Sequence, residues 1–149
     1  MLIRCAIIVA LAPGVAEAQF TLNVTQVERA QPDGRTHTGT CGKDACRAVL
    51  PVKVGGDVCV LNVRVGAPTR EGWGQVMFAA GPCRSGVKLA VSGYPALSGY
   101  QLDRFGAATT RFAVPFQAAK SAILPNGWDD GVVHEFATVR LDIIAVNLP

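Results

Sequence analysis

Asp57-Val58-Cys59-Val60-Leu61-Asn62-Val63-Arg64-Val65 is the stretch on which the fold turns. Cys59, Leu61, Val63 and Val65 fall on one side of an extended chain, and Val58, Val60, Asn62 and Arg64 on the other. A two-residue period rich in branched side chains is the signature of a strand with one face in the core. It puts the Cys59 sulfur on the buried face, where a half-cystine is well accommodated.

The same pattern extends in both directions from this stretch. On its N-terminal side, residues 47–54 form a second branched apolar run, joined to the first at Gly55-Gly56, a two-residue connection of hairpin type. Pro51 inside that run lacks a backbone donor, which predicts an edge position. Around this pair lie Cys41, Cys46, Cys59 and Cys83. Their spacing has no C-x-x-C knuckles, so zinc ligation is not expected. Of the three possible pairings, Cys41–Cys46 with Cys59–Cys83 is favoured, because Gly42, Lys43, Asp44 and Ala45 make a plausible tight loop.

The compartment follows from the N-terminus. Residues 1–18 carry one basic residue, Arg4, then an apolar run, a Pro13-Gly14 break and the ending Ala16-Glu17-Ala18, the pattern of a secretory signal with an A-x-A cleavage site. The expected product, residues 19–149, is one domain without a membrane span, secreted or periplasmic, where paired cysteines persist as disulfides. Cys5 would leave with the signal. The net charge of +3 comes from singly scattered basic residues. A nucleic-acid groove would cluster them, so that partner class is not expected.

Elsewhere, residues 20–28, 86–92 and 109–116 alternate as half-buried strands do, and residues 31–42 are polar and turn-rich, which predicts an exposed loop. Residues 116–124 fit a short helical stripe after Pro115. Residues 132–146 form the longest run, with Ala137, Val139, Leu141 and Ile143 on one face. Its parity slips near His134 to Phe136, where a bulge is expected. About eight short strands with little helix predict an all-β, disulfide-stabilised antiparallel sandwich, immunoglobulin-like or jelly-roll. A small β-barrel is the alternative.

Chemistry-bearing motifs are sparse. His37 lies in the polar tract and His134 on the last strand, no serine occupies a G-x-S-x-G elbow, and the carboxylates are scattered. No catalytic residue, resident metal or cofactor is expected. The acidic turn from Asn126 to Asp130 departs from the D-x-[DN]-x-[DN]-G calcium pattern, so turn chemistry is its first reading. Trp73, Tyr94, Tyr100 and Trp128 all fall in predicted loops, where large aromatics can anchor a ligand or fold back over the sandwich ends. The expectation is a non-catalytic binding module at the bacterial periplasm or surface, for a glycan or an envelope protein. The alternatives are a structural subunit of a surface fibre or assembly and, behind it, a small hydrolase or an inhibitor.

Overall fold

The computed structural model describes residues 19–29, 31–91, 98–118 and 133–146. Among these residues ten strands follow one another: β1 Gln19–Glu28, β2 Gln31–Thr38, β3 Thr40–Cys41, β4 Ala45–Val54, β5 Asp57–Gly66, β6 Trp73–Cys83, β7 Leu89–Val91, β8 Gly99–Gln101, β9 Ala107–Ala118 and β10 Val133–Val146. They form two five-stranded antiparallel sheets, ordered β2-β1-β10-β9-β7 and β3-β4-β5-β6-β8, packed face to face as a sandwich. Two separate sheets rule out the barrel alternative. Among the described residues no helix is long and apolar enough to cross a membrane.

Alternation decides which residues fill the interior. Cys59, Leu61, Val63 and Val65 of β5 are buried, as are Leu50, Val52 and Val54 of β4 and Val139, Leu141 and Ile143 of β10. Each such side chain contributes about 1.5–3 kcal/mol on transfer from water. Gly55 adopts φ +61° in the turn where Val54 faces Asp57, so the β4–β5 hairpin stands as expected. Both disulfides of the favoured pairing are present, Cys41–Cys46 and Cys59–Cys83, each between residues directly opposite in the ladder. The parity slip in β10 is a bulge, since Glu135 faces Phe116 but Val133 faces Gln117, leaving His134 as the extra residue.

Two sequence expectations are corrected. Residues 31–38 are strand β2, not loop, because pairing with β1 supplies a backbone ladder that polar composition conceals at a sheet edge. Thr25 and Thr36 share a hydroxyl hydrogen bond across that pair (2.8 Å), and the Thr38 hydroxyl donates to Asn23 Oδ1 (2.9 Å). Residues 116–118 continue strand β9 rather than opening a helix, with Phe116 fully buried and facing Val91 of β7. Residues 119–124 of that predicted helix lie outside the described residues.

The two sheets are tied differently at their two sides. On one, Phe78 of β6 and Phe112 of β9 meet edge to face, ring centroids 5.3 Å apart. On the other, the edge of β4 is covered by β3 only at Cys46 and Arg47. Pro51 offers no donor there, and at Lys53 the buried side chain of Gln26 takes the place of a neighbouring strand. Its Nε2 donates to the Lys53 carbonyl (2.9 Å), and its Oε1 accepts from the Lys53 N–H (2.8 Å). Such closure blunts an edge that would otherwise invite another chain. Gln26→Leu should leave both Lys53 groups without a partner and cost about 1–3 kcal/mol in urea unfolding, with Gln26→Glu losing only the donor and falling between. A Leu variant as stable as the parent would contradict this role.

Candidate functional site

Because Val65, Val63 and Cys59 point inward, the alternate residues of the second sheet form its outer face. Trp73, Gln75, Met77 and Ala79 project from β6, Arg64, Asn62 and Val60 from β5, and Arg47, Val49 and Pro51 from β4. The register sets them in rows, with Met77 beside Arg64 beside Arg47, and Ala79 beside Asn62 beside Val49. Val49 is 61%, Trp73 55% and Met77 44% exposed, so large apolar surface stays in water along this face. A shallow trough of about 260 Å³ runs between Val49, Asn62, Met77 and Ala79, with Arg47 and Arg64 at its rim. On the other side of Arg64 a second open hollow is lined by Asp44, Gly66, Gln75 and Trp73.

Trp73 is exposed, and its backbone is fixed. Its main-chain N–H donates to Thr69 Oγ1 (3.2 Å), and its carbonyl accepts from the Thr69 N–H (2.7 Å), closing the preceding turn on itself. Gly72 allows that turn at φ +88°. Beside Trp73 the ladder sets Gln101 opposite it and Gly99 opposite Gln75, so this ledge carries the two exposed glutamines with bare backbone at Gly66 and Gly99. Tyr100 supports this ledge from the core side. It is 3% exposed, and its hydroxyl donates to the Gly66 carbonyl (2.6 Å). Burial pushes its phenol up to about 12.

The four aromatics singled out from sequence therefore separate. Trp73 opens β6 and faces solvent, while Tyr100 lies in the short strand β8 and faces the core, where it positions the ledge rather than presenting a surface. Tyr94 and Trp128 lie outside the described residues, as do residues 1–18, the acidic turn from Asn126 to Asp130 and the His134 side chain.

The fold also gathers carboxylates that the sequence scatters. Glu28, Asp33 and Glu135 line an open hollow of about 610 Å³ at the Gly55 end, together with Arg29, Lys53 and Arg111. Alternating charge neutralises much of this hollow from within. Lys53 Nζ donates to Asp33 Oδ1 (2.8 Å), a bond that raises the Lys53 pKa. Asp57 lies near Cys59 and Cys83, but those sulfurs are bonded to each other and offer no thiolate to a metal. The Asp57 carboxylate accepts from the Ser85 hydroxyl, which with the Val58 and Ser85 N–H groups holds its pKa below the usual carboxylate range. It bridges two turns.

No known protein family, curated protein or solved structure matches the chain.

Proposed function

We propose that the protein is an exported, non-catalytic binding module of the bacterial periplasm or surface, and that its ligand is a glycan lying along the outer face of the second sheet. The observation that carries this reading is Trp73, a residue more than half exposed whose backbone is tied by two bonds to Thr69, on a ledge it shares with Gln75 and Gln101. A flat apolar ring beside this ledge accepts the apolar face of a pyranose, while Gln75, Arg64 and Asp44 border the same hollow and can bond its hydroxyls. Preorganisation matters because a backbone already fixed at Trp73 leaves less freedom to be lost on binding. The two disulfides suit an oxidising compartment, which supports export.

The rival reading as a fibre or assembly subunit needs an open sheet edge, and the closure of β4 by β3, Pro51 and Gln26 weighs against that edge serving. A hydrolase would need free carboxylates in a cleft, and in the charged hollow Asp33 is already bonded to Lys53. Trp73→Ala should reduce binding to an oligosaccharide panel by about 30-fold or more, the weight of an aromatic anchor, with the urea midpoint unchanged. Full retention of glycan binding by that variant would overturn the assignment of the face.

A further inference from the structure

Arg47 and Arg64 stand directly opposite one another on β4 and β5, a like-charge pair on neighbouring strands. Opposed like charges destabilise a sheet, and their Cβ atoms lie about 4.5–5.5 Å apart. Among the described residues neither guanidinium has a carboxylate within ion-pair distance, the pairs there being Lys53–Asp33 and Arg140–Asp142. Asp44 shares the hollow around them but forms no ion pair with either, and Lys43 adds a further positive charge at the same rim. The local balance is positive.

We propose that this pair recognises an anionic group on the glycan, so that the ligand is an acidic oligosaccharide bearing carboxylate or phosphate. The inference rests on the reading of the Trp73 face given above and specifies its ligand. A guanidinium binds carboxylate and phosphate through a planar two-pronged fork, and two forks projecting from adjacent strands converge on a single anion. The row of Arg64 and Met77 lies four residues along β6 from Trp73, or about 13 Å at strand rise. One sugar ring does not cover that span. The site therefore takes an oligomer, one ring over Trp73 and a charged group at the arginines, with the trough of Val49 and Met77 beyond.

The test compares binding of the purified full chain to a neutral glucose hexamer, a galacturonate hexamer and a phosphate-bearing polyol chain, by calorimetry from about 50 to about 500 mM salt. Tighter binding of either anionic chain, weakened by salt, is expected, and the preferred one identifies carboxylate or phosphate as the anion. Arg47→Gln with Arg64→Gln should weaken that chain roughly 10- to 100-fold and the neutral hexamer, which loses only the hydroxyl bond of Arg64, by a much smaller factor. Arg47→Lys with Arg64→Lys should fall between, keeping charge but losing the fork. Relief of like-charge repulsion should leave the urea midpoint of the Gln variant unchanged or raised, which separates lost recognition from lost folding. If the neutral hexamer binds as tightly as the anionic chains and only Trp73→Ala weakens it, the anion inference fails and the glycan reading stands. If no oligomer binds, both fail.

Discussion

Replacing Cys59 and Cys83 together by alanine should lower the unfolding free energy by about 3.5 kcal/mol, against about 2 kcal/mol for the same change at Cys41 and Cys46. The difference follows from loop length, since the bonds span separations of 24 and 5 residues and the longer loop confers more freedom on the unfolded chain when opened. Burial adds to it, because Cys59 and Cys83 are both buried whereas of the other pair only Cys46 is, Cys41 being half-buried, so more space is left in the core. The longer bond pins the ends of the segment that carries Trp73, and Asp57 reinforces it by bonding Ser85 just beyond Cys83. Guanidinium unfolding of the two double variants under non-reducing conditions measures both costs. Equal losses, or a larger loss at Cys41–Cys46, would contradict this account.

How much of this could be read from residues alone depends on how one-sided the burial is. Strands β4, β5 and β10 each bury one face over Leu50 to Val54, Cys59 to Val65 and Ala137 to Ile143, so the period of two is written plainly there. The bulge at His134 was visible for the same reason, as a break in parity. Strand β2 was hidden because an edge strand buries little: Arg35 and Thr36 read as loop until β1 is placed beside them. At Phe116 the three residues left in β9 are too few to separate a helical from a strand period.

The binding face was half legible. Trp73 stood out by type, but its exposure and the burial of Tyr100 are set by the pairing of Trp73 with Gln101 and Gly74 with Tyr100 across strands distant in sequence. The arginine pair was missed, although a signal existed. Once Gly55-Gly56 is taken as the turn, partners follow by counting equally outward, and Arg47 and Arg64 are each eight residues from it. The charged hollow had no such signal, because Glu28, Asp33 and Glu135 come from both ends of the chain and meet only through the order of the first sheet.

Gly74→Ala should cost about 2–4 kcal/mol, because a Cβ there would fall within the Tyr100 ring, forcing the ring aside and breaking its bond to the Gly66 carbonyl. Tyr100→Phe removes only that bond and should cost about 1–2 kcal/mol at neutral pH. The two variants differ again in alkali. An unfolded tyrosine ionises near pH ~10, whereas burial raises Tyr100 to about 12. The folded state thus favours the neutral phenol, and the stability this gives is complete below the unfolded pKa and lost as pH climbs toward the folded one. By about pH 11 the parent should have lost about 1.4 kcal/mol relative to Tyr100→Phe, which has no such proton to lose. The advantage of the parent over the Phe variant at neutral pH should therefore shrink to about 0.6 kcal/mol or less, or invert. Unfolding curves of both proteins at the two pH values, with tyrosinate absorbance followed in parallel, read this directly. A gap that stays constant would mean that Tyr100 ionises freely and does not support the ledge beneath Trp73.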